Sequence, residues 1–285
     1  MIRQLGIIGY PLAHSISPVF QQAAFDYEGI DAKYSLWEIP PNKLSECLDW
    51  VRSQDVLGFN VTIPYKESII PLLDDIDESA QQIGAVNTVL AKNDRLVGFN
   101  TDAEGFRRSL TEEAMFQIRG SFPIILGAGG AARAVATTLV KEGAARVIIA
   151  NRSRERSESL AYNLRAQFHS EVDGVDLSYA TLRHYLKGSH APNIVVNCTA
   201  VGMAHGPDPD GSLLPEDLVP STALIYDLVY NPQETPLLRG ARNAGARVMG
   251  GLSMLIYQGA AGFFMWTGTH PKIEIMRSAA YRALE

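Results

Sequence analysis

The segment that most constrains the fold is a glycine-rich turn between an apolar strand and a helix. In the sequence IILGAGGAARA, Gly127, Gly129 and Ala132 form the pattern G-x-G-x-x-A. The first glycine permits a tight turn, the second lets backbone approach a pyrophosphate, and the small third residue lets the helix pack closely on the sheet. The strand RVIIAN follows, and this strand–helix–strand order requires a parallel sheet. We therefore predict a dinucleotide-binding unit and disfavour the alternative, an ordinary strand-to-helix turn.

The residues at the end of the second strand indicate which dinucleotide binds. An NAD enzyme usually carries Asp or Glu about 20 residues beyond the glycine pattern, where it bonds the ribose 2′-hydroxyl. This chain instead has Asn151, Arg152 and Ser153, with Arg156 one turn later. Arginine presents a planar fork of donors that suits a 2′-phosphate. NADP is the predicted cofactor, and Arg154 is interpreted as an exposed charge on a helix surface.

Length and charge limit the classes of protein that fit. A chain of 285 residues exceeds the usual size of one core, so two domains are expected. The formal net charge of −6 argues against a nucleic-acid-binding surface. Cys47 and Cys198 lie far apart without CxxC spacing, so neither a disulfide framework nor a metal site is predicted, and a reducing cytoplasm fits.

Two apolar stretches raise the question of a membrane or export signal. The amino-terminal run is too short for a signal-peptide core. Residues 248–268 are long enough to be considered as a membrane span, but the five glycines and Gln258 in this stretch favour a close-packed helix. We expect a cytoplasmic protein, monomeric or homodimeric, with a small-molecule substrate and neither a nucleic acid nor a membrane as partner.

Hydrophobic periodicity predicts an α/β fold. In the first hundred residues, strands are expected at LGIIGY, AKYSLWEI and VLGFNVTI, and a hairpin is expected around Asn93 and Asp94. Helices are expected at SPVFQQAAFDYEG, with Ser17 as its cap, and along PYKESIIPLLDDIDESAQQIG. A helix from residue 103 leads to the strands FPIIL, RVIIAN, NIVVNCTA and ALIYDLVY, and the chain is expected to be helical from about Arg247 to its end.

Several long motifs, spread over essentially the whole chain, together resemble the shikimate dehydrogenase family. They are GYPLAHSISP (9–18), NVTIPYKE (60–67), GAVNT (84–88), GFNTDAEGF (98–106), NCTAVGM (197–203), LVYNPQETPLL (228–238) and GLSMLIYQGA (251–260), in addition to GAGGAARA and NRS. The resemblance implies an NADP-dependent oxidoreductase that reversibly reduces 3-dehydroshikimate to shikimate in chorismate and aromatic amino-acid biosynthesis.

The resemblance implies that Lys66 and Asp102 are catalytic. During reduction, Lys66 would donate a proton to the carbonyl oxygen while Asp102 orients the lysine and the substrate. Lys66 follows Pro64 at the expected first turn of a helix, where the positive end of the helix dipole disfavours an additional cation. Taken alone, each residue has a plainer interpretation, as a surface lysine and as an aspartate at a helix start.

The resemblance also assigns binding residues. For the substrate carboxylate they are Ser15, Ser17 and Tyr230, and for the ring hydroxyls Thr62, Asn87, Asp102 and Gln258. For the cofactor they are Gly127, Ala128, Gly129, Gly130, Ala131, Asn151, Arg152, Ser153, Arg156, Thr199 and Gly251. Gln258 has only apolar neighbours at helical spacing, so its amide needs a partner, and nearby backbone is the alternative to substrate. Ser153 stands where the family usually has threonine, which is expected to soften the preference for NADP.

For Gln258 to reach the substrate, the carboxy-terminal helices must return to the first domain. We therefore predict a substrate domain formed by residues 1–102 and 247–285, and a Rossmann-type, doubly wound nucleotide-binding domain formed by residues 103–246. Three alternatives remain open from the sequence: a quinate/shikimate dehydrogenase that uses NAD, a different cyclic substrate, and a non-catalytic NADP-binding regulator on the same scaffold.

Overall fold

The computed structural model describes residues 2–187 and 191–285. Its described part forms two compact units, one comprising Met1–Gly105 and Leu255–Glu285, the other Phe106–Met254. We call these the substrate unit and the nucleotide unit. Each contains one six-stranded sheet.

The substrate unit alternates strands and helices around a mixed sheet. Its elements are β1 (Arg3–Gly9), α1 (Ser17–Tyr27), β2 (Ala32–Glu38), α2 (Leu44–Ser53), β3 (Val56–Val61), β4 (Asp75–Ile76), α3 (Glu78–Ile83), β5 (Thr88–Lys92), β6 (Arg95–Phe99) and the start of α4 (Asp102–Arg108). The strand order is β2-β1-β3-β5-β6-β4. Strands β5 and β6 form the predicted hairpin. Asn93 and Asp94 at its turn have φ values of 52° and 60°, as a two-residue type I′ turn requires.

The nucleotide unit has an entirely parallel sheet. After α4, a π-helix (Ser109–Glu113) leads into β7 (Pro123–Leu126), α5 (Gly130–Lys141), β8 (Val147–Asn151), α6 (Arg154–Phe168), β9 (Val172–Asp176), α7 (Tyr179–Leu186), β10 (Ile194–Asn197), β11 (Leu224–Asp227), α8 (Pro236–Asn243) and β12 (Arg247–Met249). The strand order is β12-β11-β10-β7-β8-β9. The chain starts in the middle of the sheet and winds outward in both directions, which is the Rossmann arrangement. The predicted fold class is confirmed.

Both faces of this parallel sheet are covered by helices. Ile125 of β7 packs in a core with Leu139 of α5 and Leu160 of α6, whereas the adjacent Ile124 packs in a second core with Leu182 of α7 and Leu237 of α8. Because successive side chains of a strand point to opposite faces, a strand buried on both sides has apolar residues throughout. This explains the uninterrupted apolar runs at β7, β8 and β10.

The chain ends in α9 (Leu252–Thr267) and α10 (Ile273–Arg282), and from Leu255 onward it belongs to the substrate unit. In that unit the Trp266 indole donates to the Val89 carbonyl of β5 at 3.0 Å, and the rings of Phe263 and Phe25 lie 4.6 Å apart. The substrate unit is thus built from both ends of the chain. Within the described residues, no helix combines the length and apolar character needed to cross a membrane.

The helix expected along residues 64–84 forms only in part, and its expected first turn at Lys66 is absent. Residues 63–69 form turns, Ile70–Leu72 is a single 3₁₀ turn, and the only α-helix before residue 84 in this stretch is α3. Proline lacks an N–H and disfavours helical backbone in the residue before it, so Pro71 opposes the continuation of a helix that starts near Pro64. The Lys66 carbonyl instead accepts a hydrogen bond from the distant Val86 N–H at 2.7 Å.

Two smaller expectations also differ from the structure. Ile16, not Ser17, occupies the cap position of α1, no side chain caps this helix, and Ser17 is its first residue. Proline fits more than one position in a first helical turn, because the N–H groups there have no helical partner, so Pro18 does not define the start to one residue. The carboxy-terminal part is not helical from Arg247, because the short edge strand β12 pairs with β11 before α9 begins.

Candidate active site

Lys66 and Asp102 form a partly buried ion pair in the substrate unit. The distance between Lys66 Nζ and Asp102 Oδ2 is 2.5 Å, and the two side chains are 16% and 6% exposed. Lys66 lies in the turns that follow β3, whereas Asp102 is the first residue of α4, where the positive end of the helix dipole favours a carboxylate. The two motifs that carry these residues therefore meet at one point.

Asn87 fixes the orientation of the aspartate. Its Nδ2 donates to Asp102 Oδ1 at 2.9 Å, while its Oδ1 accepts from the Thr101 N–H at 2.7 Å. Asn87 is only 2% exposed and directly precedes β5, so its backbone is also held by the sheet. With Lys66 on one carboxylate oxygen and Asn87 on the other, Asp102 has little freedom to rotate.

Gln258 joins this cluster from α9. Its Oε1 accepts a hydrogen bond from Asn87 Nδ2 at 3.2 Å, and its Nε2 donates to the Leu255 carbonyl one turn earlier at 2.8 Å. The backbone partner is the alternative expected from the sequence, and the bond to Asn87 gives the amide a second partner, while contact with a substrate stays a prediction. Lys66, Asn87, Asp102 and Gln258 form what we call the Lys66–Asp102 cluster.

Thr62, Ser15 and Ser17 lie on the neighbouring segment of the same unit. The Thr62 N–H donates to the Ile8 carbonyl at 2.9 Å, and the Tyr10 N–H donates to the Ile63 carbonyl at 3.0 Å, so the first two family motifs run side by side. Ser15 is half-buried and Ser17 is buried, and Ser15 Oγ accepts from the Ser17 N–H at 3.4 Å. Neither hydroxyl is hydrogen-bonded to the Lys66–Asp102 cluster within the described chain.

The remaining predicted substrate residue, Tyr230, belongs to the nucleotide unit. It is half-buried in the loop that follows β11. The next residue, Asn231, accepts a hydrogen bond from the Ala204 N–H at 2.9 Å, which attaches this loop to the segment after β10.

The glycine turn between β7 and α5 has the geometry expected of a dinucleotide site. Gly127 has φ +112°, a backbone conformation that other residues rarely adopt, and its N–H donates to the Ala150 carbonyl at 2.8 Å. A Cβ atom on Gly129 would meet no protein atom within 4 Å. Packing within the unit therefore does not explain why a side chain is missing there, whereas close approach of a ligand to the backbone would.

The helix that follows the turn is oriented for an anion. Gly129 occupies the cap position of α5 and no side chain caps the helix, which leaves N–H groups of its first turn, at Gly130 and Ala131, available to a phosphate. Ala128 is buried, and Ala132 is fully buried against the sheet, as the third position of the pattern requires. These residues fit a bound pyrophosphate.

The segment after β8 carries exposed cationic groups together with one unexpected carboxylate. Arg152 and Arg156 are exposed, and the Arg152 side chain makes no hydrogen bond or ion pair with the part of the chain that the structure describes. Asn151 Nδ2 donates to the Ser153 carbonyl at 2.9 Å. The Ser153 hydroxyl donates to Glu155 at 2.8 Å, and this bond lowers the pKa of the Glu155 carboxyl.

Three other residues of this unit were assigned from the sequence: Arg154, Thr199 and Gly251. Arg154 pairs with Glu158 at 2.8 Å on the surface of α6, so its interpretation as an exposed helix charge is confirmed. Thr199 is half-buried beside the glycine turn, where its Cγ2 would lie 3.0 Å from a Cβ on Gly127. The Gly251 N–H donates to the Val229 carbonyl at 3.1 Å, next to the Tyr230 loop.

A layer of buried polar residues that was not predicted from the sequence lies beneath the Lys66–Asp102 cluster. Asn60 Nδ2 donates to Thr88 Oγ1 at 3.0 Å, and the Thr88 and Thr101 hydroxyls lie 3.0 Å apart. Tyr34 donates its hydroxyl to Asn60 Oδ1 at 2.6 Å, and burial raises the pKa of this tyrosine well above its usual value. A signal was present, because an asparagine within the apolar strand VLGFNV requires partners.

Comparisons with known proteins agree with this arrangement. Three family models match: the shikimate dehydrogenase substrate-binding domain over residues 7–89, shikimate/quinate 5-dehydrogenase over residues 109–204, and the shikimate 5′-dehydrogenase C-terminal domain over residues 251–281. The NADP⁺ shikimate dehydrogenase of Symbiobacterium thermophilum is 43% identical over 285 residues, covering 99% of this chain and 95% of the relative.

Solved structures give the same result. A shikimate dehydrogenase crystallised with NADP⁺ superimposes with a TM-score of 0.90 at 36% identity, covering 99% of this chain and 96% of the other. The enzyme from Thermus thermophilus, crystallised with NADP(H) and shikimate, has a TM-score of 0.86 at 38% identity and covers 99% of this chain and all of the other (100%).

Proposed function

The chain belongs to the shikimate dehydrogenase family, and on this basis we propose that it catalyses the reversible, NADP-dependent reduction of 3-dehydroshikimate to shikimate, a step of chorismate and aromatic amino-acid biosynthesis. The observation that carries the proposal is the Lys66–Asp102 pair, with Nζ and Oδ2 2.5 Å apart. A partly buried ammonium held beside an oriented carboxylate is the group that ketone reduction needs for proton transfer.

Lys66 and Asp102 divide the proton chemistry between them. In the direction of reduction, the Lys66 ammonium donates a proton to the ketone oxygen, and in the reverse direction the neutral amine accepts it from the hydroxyl. Asp102 keeps Nζ at one position, and Asn87 prevents the carboxylate from turning away. Asp102 also has the acceptor capacity to bind a ring hydroxyl of the substrate.

The side chains proposed to bind the substrate suit a hydroxylated carboxylic acid. Ser15 and Ser17, with Tyr230, would bind the carboxylate. Thr62, Asn87 and Gln258 would bind ring hydroxyls, and the amide of Gln258 carries a donor and an acceptor at once. Buried polar groups of this kind reject analogues that lack a hydroxyl, because the missing partner leaves them unpaired.

The nucleotide unit is proposed to hold NADP. When bound, the cofactor supplies the hydride. The turn at Gly127–Gly130 and the first turn of α5 would hold the pyrophosphate, while Asn151, Ser153 and the guanidinium groups of Arg152 and Arg156 would bind the ribose 2′-phosphate. Thr199 and Gly251 would line the site. The strongest support for a preference for NADP over NAD is the Arg152 side chain, which makes no hydrogen bond or ion pair with the described residues.

One observation favours a second candidate, a quinate/shikimate dehydrogenase that also accepts NAD. The Ser153 hydroxyl is bonded to the Glu155 carboxylate, so an acidic group lies next to the proposed 2′-phosphate site. A carboxylate there repels a phosphate and can accept a hydrogen bond from a 2′-hydroxyl.

Initial rates with shikimate and with quinate, each measured with NADP and with NAD, test both candidates. The proposal requires kcat/KM for shikimate with NADP to be the highest of the four values. Comparable values for NAD or for quinate would favour the second candidate, and an absence of turnover with all four pairs would contradict both.

A further inference from the structure

A buried carboxylate in the nucleotide unit has no role in the chemistry proposed above. Asp227 is the last residue of β11 and its exposure is 0%. Its Oδ1 accepts hydrogen bonds from Asn197 Nδ2 at 2.9 Å and from the Val229 N–H at 3.1 Å. Its Oδ2 accepts from the Thr235 hydroxyl at 2.6 Å. Three donors on three different segments therefore converge on one side chain.

The first of these donors leads to the segment after β10. Asn197 uses its amide nitrogen on Asp227, and its Oδ1 accepts from both the N–H and the hydroxyl of Thr199, at 3.0 and 2.8 Å. Thr199 lies against Gly127 of the glycine turn. Asp227 is thus connected through Asn197 to Thr199, a proposed cofactor-binding residue.

The other two donors bracket the loop that carries Tyr230. Val229 precedes Tyr230, and Thr235 ends the loop as the cap of α8, where its Oγ1 also accepts from the Leu238 N–H. Asp227 therefore fixes both ends of this loop. Asp227 also helps to hold the position of Gly251, because the Gly251 N–H donates to the Val229 carbonyl. Gly251 is packed closely against this segment, since a Cβ on Gly251 would lie 2.0 Å from the Leu228 oxygen.

The chemistry of this position favours a carboxylate. An ionised carboxylate only accepts hydrogen bonds, so it takes all three donors, whereas an amide would present its NH₂ group to the Thr235 hydroxyl. Burial of a charge is costly, and burial raises the pKa of Asp227 from 3.8 to about 6. An apolar residue would avoid this cost but would leave the three donors unpaired.

We propose that Asp227 is a positioning residue that holds the segments carrying Thr199, Tyr230 and Gly251 in the arrangement needed to bind cofactor and substrate. The inference rests on the proposed function of those three residues. It assigns to Asp227 no contact with either ligand.

The test compares Asp227→Asn with Val172→Ala, a control at a buried position in β9, the edge strand at the opposite end of the sheet from β12. The dissociation constant for NADP is measured by calorimetry and kcat/KM is measured for shikimate and for NADP, well below the melting temperature of either variant. A misplacement of about 1 Å can reduce activity on the order of 100-fold. We expect Asp227→Asn to weaken NADP binding and to lower both kcat/KM values by about 10- to 100-fold, and Val172→Ala to leave all three near wild type.

A second pair of variants covers the case in which Asp227→Asn does not fold. Thr235→Val removes one of the three bonds and should raise the shikimate KM, and Thr235→Ser, which keeps the hydroxyl, should restore it. The inference would be overturned if Asp227→Asn had wild-type affinity and activity, or if its losses equalled those of Val172→Ala. If Asp227→Asn is unfolded, wild-type affinity and activity in Thr235→Val would overturn it. Failure of the proposed function is distinguishable, because wild-type protein would then neither turn over shikimate nor bind NADP.

Discussion

The substitution Lys66→Ala should act on the chemical step. In the structure, removal of the ammonium leaves Asp102 with its hydrogen bond from Asn87, and Asn87 keeps its bond to Gln258, so most of the proposed substrate contacts survive. The group that transfers the proton is lost. General acid–base groups contribute about 100- to 10,000-fold, equivalent to about 3 to 5 kcal/mol in the activation barrier. We expect kcat to fall by that factor while the shikimate KM changes little.

The assay is initial-rate oxidation of shikimate with NADP at saturation of both. Lys92→Ala is the matched control, because Lys92 is an exposed lysine at the end of β5 in the same unit. Asp102→Asn should show a comparable defect, and the double variant should lose much less than the product of the two single effects, since residues that act as a unit are not additive. Near-normal kcat with a raised KM in Lys66→Ala would refute the reasoning and make the lysine a substrate-binding group.

Three further expectations concern the nucleotide unit. Arg152→Ala should raise the KM for NADP far more than that for NAD, and equal changes in initial-rate assays would contradict its assignment to the 2′-phosphate. Gly129→Ala should leave the melting temperature unchanged, because a Cβ there meets no protein atom within 4 Å, yet weaken NADP binding in calorimetry; unchanged affinity would argue against a pyrophosphate at this turn. For Asp227, burial raises the folded-state pKa from 3.8 to about 6, so the native state holds a proton between these values and stability falls as pH rises through them. In urea titrations, wild type should lose about 2 kcal/mol relative to Asp227→Asn between pH 4 and pH 7, and a constant difference would contradict that shift.

The features predicted correctly from sequence depend on local rules. The positive φ values at Asn93 and Asp94 follow from the two-residue hairpin, and the conformation of Gly127 follows from its position between a strand and a helix. The parallel sheet follows from the strand–helix–strand order. Each of these depends on residues close together in the chain.

The features that sequence reasoning missed depend on distant partners. The turns at Lys66 are stabilised by Val86, twenty positions away, and β12 exists because β11 lies beside it. The buried layer of Asn60, Thr88 and Thr101 is assembled from β3, β5 and the residues before α4. Hydrophobic periodicity contains no information on such pairings.

Asp227 illustrates the same limit at a single residue. In the sequence it is one acidic residue at the end of an apolar run, and nothing nearby indicates that Asn197, thirty positions earlier, donates to it. The ion pair of Lys66 and Asp102 is also non-local, since the two residues are 36 positions apart. It could be predicted only because the family resemblance supplied the pairing.

A crystal structure of the protein with shikimate and NADP⁺ would test the proposed site most directly. We predict that Lys66 Nζ and Asp102 lie within about 3.2 Å of the hydroxyl that is oxidised, with the carboxylate of shikimate on Ser15 and Ser17 and the 2′-phosphate on Arg152. A shikimate molecule bound elsewhere, or turned so that a different hydroxyl faces Lys66, would contradict it.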